Sequence, residues 1–429
     1  MRLSQFLLNT TKDTNSEARL TSHRLMLQSG MIKQISSGVY SWLPLGLSVL
    51  RKIKSIIRST LNNINCHEVI LPSLQPLAIW EKSGRILEES DLKSQIFYVD
   101  GKKRSKYVLP PSCEEIMTEL FNSTVSSYKN NSNILYQITW KFRDEIRPRY
   151  GVMRAKEFLM KDAYSFDLNK ENALSSYEKV FKAYLGIFKK LEVTVIPVLA
   201  PTGAMGGDYS HEFHIPAKDG ESTIYYQNEL LDYIQNKSFS LRDFQAFYAR
   251  EEEKHNIESC RTLNLLQSKS IEVSHLFYLG QKYSKSLKCT IQDRNGNYKY
   301  PDMCCYGIGI SRLVAAIIER NHDDKGIIWP NNISPFKFAI INIQKYNKIC
   351  ERLADRLYNN LSNKYDIIYD DTDNSPGKKF ADIDLIGISW QLIIGPKKAT
   401  NSILELKNRK TGVIKTFKEH EFYNFLENK

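Results

Sequence analysis

Apolar residues recur at helical spacing through Leu50, Ile53, Ile57 and Leu61, and the chain then passes into His67-Glu68-Val69-Ile70-Leu71-Pro72. The first pattern predicts an amphipathic helix and the second a short strand stopped by its proline. Residues 135–145 alternate with a period of two. Tyr136, Ile138, Trp140 and Phe142 fall on one face, and Gln137, Thr139, Lys141, Arg143 and Glu145 on the other. This predicts a strand with an apolar back and a chemical front. An arginine-rich loop through Arg147, Arg149 and Arg154 leads to a returning strand that opens on Glu157-Phe158. Ser112-Cys113-Glu114-Glu115 has capping-box spacing ahead of Ile116, Met117 and Leu120, so a helix is expected to begin near Ser112, with Ser112 and Glu115 as its cap.

The stretch 216–270 is irregular, with Arg250-Glu251-Glu252-Glu253-Lys254 and few sustained apolar periods. It reads as a modest helical insertion, too short for a typical domain of ~100 to 150 residues. Strands are expected at 271–278 and 304–308. The second runs into Gly307-Ile308-Gly309-Ile310-Ser311-Arg312, and Ile310, Leu313, Val314, Ile317 and Ile318 mark an amphipathic helix. Pro330 and Pro335 bracket a domain boundary, giving domains 1–335 and 336–429. Beyond it, strands at 338–343, 365–369, 391–394 and 403–406 alternate with a helix through Ile349, Leu353 and Leu357, a turn and helix from Ser375 to Phe380, and a terminal helix. That alternation predicts a compact α/β domain.

Composition adds little to the fold and something to the partner. The chain has 429 residues, 42% hydrophobic and 25% charged, an ordinary globular balance. A net charge of +12 and a pI near 9.1 point to an anionic partner such as nucleic acid. Residues 336–429 hold 16 Lys and Arg against 12 Asp and Glu, more basic per residue than the rest, which favours nucleic-acid contact there. The seven cysteines are scattered, with no CxxC pair and no Cys/His cluster, so reduced thiols and no structural zinc are expected. No apolar run approaches a membrane span. Phe6-Leu7-Leu8, followed by Asp13 and Glu17, is too short and acidic for a targeting peptide, so a cytoplasmic location is expected.

A sheet packed behind by aromatics and presenting Arg143, Glu145 and further loop arginines in front suits a polyanionic ligand that also carries a cation-binding or amine-bearing part, as a nucleoside triphosphate does. The plain alternative is a solvated, salt-bridged strand face.

Three segments then stand in order: a helix and strand ending at Pro72, Phe142-Arg143-Asp144-Glu145 with its return, and the Gly307-to-Arg312 helix start. This order resembles the three motifs of the class II aminoacyl-tRNA synthetases. Arg147-Pro148-Arg149, residues 157–166 (EFLMKDAYSF), Gly206-Gly207 with Ser210-His211-Glu212-Phe213, Cys305-Tyr306-Gly307, and Pro376-Gly377 with Phe380-Ala381-Asp382 narrow it to the bacterial-type prolyl-tRNA synthetases. The match begins at Arg2-Leu3-Ser4-Gln5 and covers almost the whole chain.

The resemblance implies an α+β catalytic domain on an antiparallel sheet, followed by an α/β anticodon-binding domain. It implies ATP-dependent activation of L-proline to an adenylate and its transfer to the 3′ end of tRNA(Pro). Arg143 would hold the α-phosphate and the substrate carboxylate, and Glu145 would receive the adenine amino group or orient the loop. Phe158 would stack under adenine, and Arg154 or Arg149 would clasp the outer phosphates. Arg312 would close on the nucleotide from the other side, while Gly307 and Gly309 admit close backbone approach. Mg2+ is expected on the phosphates, its ligands not readable from sequence. For proline, Ser112 stands where the family has threonine, Glu114 would bind the imino cation, His211 would wall the ring or touch the carboxylate, and Cys305 would line the pocket. Arg147 would touch the tRNA acceptor end, and Lys378 and Lys379 the anticodon region. Only 55 residues lie in 216–270, so the editing domain of many bacterial relatives is expected to be missing and mischarged alanyl-tRNA to persist. A homodimer is expected. The rivals are a non-catalytic synthetase-like binding or regulatory protein, which needs no complete set of Arg143, Glu145, Phe158 and Arg312, and a sibling synthetase for threonine, serine or glycine.

Overall fold

The computed structural model describes residues 1–12, 18–86, 93–102, 105–125, 127, 134–205, 207, 209–236 and 240–427; Gly206 lies outside them. The chain packs as two compact units, one of Ser36–Tyr40 and Ile53–Ala316, the other of Met1–Ile35, Ser41–Lys52 and Ile317–Lys429.

The first unit is built on one sheet of nine strands: β1 (His67–Glu68), β2 (Ile134–Phe142), β3 (Glu157–Asp167), β4 (Ile196–Leu199), β5 (Tyr209–Pro216), β6 (Ser222–Gln227), β7 (Ala249–Glu251), β8 (Leu265–Gly280) and β9 (Asp302–Gly309). Their order is β5-β4-β7-β6-β8-β9-β3-β2-β1, with β5 also pairing to β8. Pairing is antiparallel apart from β1 with β2 and β4 with β7. The stretch expected as a helical insertion therefore corrects to a mixed one: besides its short helices it supplies β6 and β7. Short polar strands that pair in register leave no sustained apolar period to read.

The longer helices before Pro330 are α1 (Pro44–Asn62), α2 (Glu114–Thr124), α3 (Lys170–Lys190) and α4 (Ile310–Arg320). The side chain of Asn169 caps α3 by accepting from the Asn172 amide, and Tyr177, Phe181, Tyr184 and Phe188 on its inner face are buried. Phe181 and Tyr184 meet Phe213 of β5 with ring centroids 5.2 and 5.7 Å apart.

Strand β2 ends at Phe142, and its two faces do not divide as the alternation suggests. Gln137 and Lys141, on the supposedly chemical face, are buried, whereas Ile138, Trp140 and Phe142 are half-buried. Lys141 Nζ lies 2.7 Å from Asp162 Oδ1, and Gln137 donates to Asp162 Oδ2 at 2.9 Å. A buried ion pair takes the place of hydration, so polarity alone misreads the exposure.

Lys161, one residue before Asp162, is wholly buried and donates to Tyr184 Oη and to the Tyr306 carbonyl. Burial pushes its pKa down from 10.5 to about 7. Between those values the unfolded chain binds a proton that the folded chain refuses, so folding stability rises with pH across this window and carries the full penalty below it. Relative to Lys161→Met, the wild-type chain should gain about 2 kcal/mol between pH 7 and 9, measured by urea unfolding. Parallel pH curves would remove Lys161 as the cause.

In the second unit, β10 (Phe338–Asn342), β11 (Ile367–Asp370), β12 (Trp390–Ile394), β13 (Ile403–Asn408) and β14 (Ile414–Lys418) form a sheet in the order β11-β10-β12-β13-β14. The first three run parallel and the last two antiparallel. With α5 (Lys348–Leu361) and α7 (Glu419–Glu427) they enclose a core through Leu353, Leu357, Leu392 and Phe422, and α6 (Pro376–Ile386) also meets β10. Ser375 caps α6, Pro376 begins it, and Gly387 ends it at φ 77°, where a Cβ would lie 2.4 Å from the Ile327 carbonyl oxygen. This unit also takes in the N-terminus, which the expected 1–335 division places elsewhere. Arg2 bridges Tyr369 on the open edge of β11, the Met1 amine donates to the Ile367 carbonyl at 2.7 Å, and Arg2 pairs with Asp355 at 2.8 Å.

Lys379 corrects an expectation. It is 1% exposed and donates to the carbonyls of Asn342 and Thr372, both at 2.7 Å, so it ties strand ends together and is not available to RNA. Lys378 is exposed and pairs with Asp382 one turn on, at 2.9 Å.

Candidate active site

A cavity of about 450 Å³ opens on the central sheet of the first unit. Arg143 follows β2, its amide donating to the Lys156 carbonyl at 2.8 Å so that pairing persists one residue beyond the strand. Its guanidinium lies 5.0 Å over the Phe158 ring. Burial lowers its pKa and the Arg312 charge lowers it further, so the two guanidinium groups repel across a shared space. Arg312, in the first turn of α4, is held by the Met153 carbonyl at 3.0 Å and by Glu272 Oε2 at 3.1 Å. Arg143 and Arg312 both line the cavity. Two cations that share one carboxylate, Glu272, keep a surplus of positive charge that fits an anion. Arg154 joins them, donating to Glu145 Oε2 at 3.1 Å.

Beside them Gly307 and Gly309 leave the wall as bare backbone. A Cβ on Gly307 would meet nothing nearer than 3.9 Å, so the position is open to a ligand.

Another part of the cavity is lined by Ser112, Glu114, Cys305, Asp162 and Arg85. Here the capping box gives way: Cys113 is the N-cap of α2, without a side-chain cap bond. Ser112 Oγ donates instead to Glu114 Oε2 at 2.6 Å, and Glu115 accepts from Ser83 Oγ at 2.7 Å. Arg85 Nη1 stands 2.7 Å from Glu114 and 3.1 Å from Glu115. A buried guanidinium competes successfully for both carboxylates, which is why Glu115 does not turn back to cap the helix. Burial opposes ionisation of Glu114, yet Arg85 and Ser112 hold its pKa below the usual carboxylate value.

A third cluster was not legible in the sequence. Glu212, Glu272 and His275 line the cavity, and one ligand atom from each falls within 4.8 Å of the others. Residues 272 and 275 share a side because β8 bulges: Phe213 pairs with Ser274 and His214 with Glu272, leaving Val273 as the extra residue. A strict two-residue period sets them on opposite faces. Burial and the Glu272 charge push Glu212 up to about 8. Burial also works to raise Glu272, but His275 and Arg312 hold it well below the carboxylate range.

His211 corrects a second expectation. Strand alternation turns Glu212 to the cavity and His211 to α3, where its Nδ1 lies 2.8 Å from Tyr177 Oη and its ring packs 4.9 Å from Phe244. Burial pushes its pKa down to about 3. It is absent from the cavity lining, as are Arg149 and Arg147, which are exposed on the loop; Arg149 lies 5.0 Å over Tyr150. Of the expected residues, then, Arg143, Glu145, Arg154, Phe158, Gly309, Arg312, Ser112, Glu114, Cys305 and Gly307 come together here. Arg85 was missed: a lone arginine after a helix-ending glycine carries no sequence signal of burial.

The model of the tRNA synthetase class II core domain (G, H, P, S and T) matches residues 97–321, and that of the anticodon binding domain matches residues 337–429. The proline–tRNA ligase of Rickettsia canadensis is 48% identical over 97% of this chain and 95% of its own length. That of Rickettsia akari is 46% identical over the full length of both. Prolyl-tRNA synthetase from Cryptosporidium parvum, solved with halofuginone and AMPPNP, superposes with a TM-score of 0.73 over 95% of this chain and 74% of its own, at 16% identity. The Giardia lamblia enzyme, solved with prolyl-adenylate, gives 0.72 over 92% and 72%, at 17% identity.

Proposed function

Because this chain belongs to the class II aminoacyl-tRNA synthetases, and among them to the proline–tRNA ligases, we propose that its cavity divides between ATP at the Arg143–Arg312 end and proline at the Glu114 end. The chain activates L-proline with ATP to prolyl-adenylate and transfers it to the 3′ end of tRNA(Pro). The observation that carries the division is the convergence of Arg143 and Arg312 on one cavity whose adjoining wall is bare glycine backbone.

Arg143 bridges the α-phosphate and the substrate carboxylate, and a planar fork suits two oxyanions. Phe158 stacks on the adenine, and Arg154 and Arg312 take the phosphates. Held in line, the carboxylate attacks the α-phosphorus and pyrophosphate leaves; positioning and fixed positive charge supply the acceleration, with no general base. Ser112, Glu114 and Cys305 receive the proline ring and its ammonium.

The Glu212–Glu272 carboxylates fit Mg2+, an oxygen-seeking ion, since their ligand atoms lie within 4.8 Å of each other and line the same cavity. When bound, the ion neutralises phosphate charge. Ile70, 85% exposed beside edge strand β1, and Leu74, 46% exposed, support a homodimer. No helix among the described residues is long and apolar enough to cross a membrane, and we place the enzyme in the cytoplasm. Residues 216–270 are largely taken up by β6, β7 and short helices, which supports the lack of a separate editing module.

Exchange of pyrophosphate into ATP, measured with each amino acid in turn, tests the reading: proline should drive it, and robust exchange with threonine, serine or glycine alone would replace it. Arg147→Ala should leave this exchange within about 2-fold of wild type while slowing tRNA charging, measured separately, by about 10-fold, the size of one lost phosphate contact. Equal losses in the two assays would withdraw Arg147 from the tRNA.

A further inference from the structure

The two carboxylate oxygens of Glu114 are unlike. Oε2 accepts from Arg85 Nη1 at 2.7 Å and from Ser112 Oγ at 2.6 Å, while Oε1 meets the weak thiol donor of Cys305 at 3.2 Å. Arg85 is itself fixed on every side. It is 6% exposed, lies 5.1 Å over the Trp80 ring, and donates to Glu115 Oε2 at 3.1 Å and to Ser112 Oγ at 2.9 Å. Its Nη2 also reaches Met205 Sδ, at 3.8 Å, on the segment that lines the cavity.

We propose that Arg85 is a positioning residue for the amino-acid substrate: it clamps Oε2 of Glu114 and leaves Oε1 to receive the secondary ammonium of proline. This rests on the reading of Glu114 as the ammonium acceptor. Two buried carboxylates share one buried guanidinium, and with Oε2 taken by Arg85 and Ser112 the Oε1 of Glu114 is the oxygen left for a second cation. A planar fork spans Glu114 and Ser112 together, which a lysine ammonium cannot do. The charge of Arg85 also offsets the burial that would otherwise protonate Glu114. A guanidinium that served packing alone would support every ligand of the cavity alike.

The test compares proline with tetrahydrofuran-2-carboxylate, which keeps the ring and carboxylate but has an ether oxygen in place of the amine. Arg85→Met should raise KM for proline about 10-fold or more, while KM for ATP and the inhibition constant of the ether analogue stay within about 2-fold. Equal losses for proline and the analogue, or an unchanged KM for proline, would overturn the proposal. Should Arg85→Met not fold, Arg85→Lys decides: a rise of about 3-fold confined to proline supports the clamp, and none refutes it. Glu114→Gln separates the two readings. If it leaves KM for proline unchanged, the acceptor role of Glu114 fails; if it raises KM while the Arg85 variants do not, the Arg85 assignment alone fails.

Discussion

Arg143→Ala should lower proline-dependent pyrophosphate exchange by about 10³-fold, the scale of losing a preorganised donor aimed at developing charge. The guanidinium is not one phosphate contact among several. It sits over Phe158, beside Arg312, and no ion pair to it occurs among the described residues. Its hydrogen-bonding capacity is therefore kept for the reacting groups, and nothing nearby can replace it. Arg143→Lys should recover little, about 10-fold at most, because a point charge cannot bridge two oxyanions. Circular dichroism should leave the variant indistinguishable from wild type, since the arginine lies beyond the end of β2 and lines the cavity. An exchange rate within 10-fold of wild type would move the α-phosphate elsewhere in the cavity.

The largest effect on stability is expected from Lys141→Met, at about 3–5 kcal/mol, the cost of breaking a buried pair. Lys141 is 0% exposed and Asp162 2%, and Asp162 also accepts from Gln137 at 2.9 Å and from Tyr164 Oη at 3.0 Å. Without the ammonium, a carboxylate remains in the interior with neutral donors only. Tyr164 in turn accepts from the Cys113 amide at 2.9 Å, at the start of α2, so the disturbance reaches the helix that carries Glu114. Urea unfolding would measure the loss. A change below about 1 kcal/mol would mean that the site collapses around Asp162 or that the carboxylate takes up a proton.

The elements with strong periods were legible: α4 from its apolar stripe, the β2–β3 return from its aromatics, and the alternation of strands and helices after Pro335. So was the grouping of Arg143, Phe158 and Arg312, each local to a motif, which all line the one cavity. What escaped depends on partners distant in sequence. Arg85 is buried because Glu114 and Glu115 arrive from 29 and 30 residues away. Glu272 and His275 share a side because of a bulge that no alternation encodes. Lys379 and His211 were misread for one reason: each has a neighbour, Lys378 or Glu212, that points the other way, and a motif names the pair without saying which member turns inward. Strand β14, a lysine-flanked and largely exposed edge, lacks the apolar alternation that would announce it.

The seam between Arg2 and Tyr369 also sets a timetable. During translation Met1 leaves the ribosome 366 residues ahead of Ile367, the residue that accepts from its amine. At elongation rates of about 5–20 residues per second, that interval lasts roughly 20–70 s. Met1 and Arg2 thus wait for partners made long after them, and the open border of β11 is paired by them only once both have been synthesised.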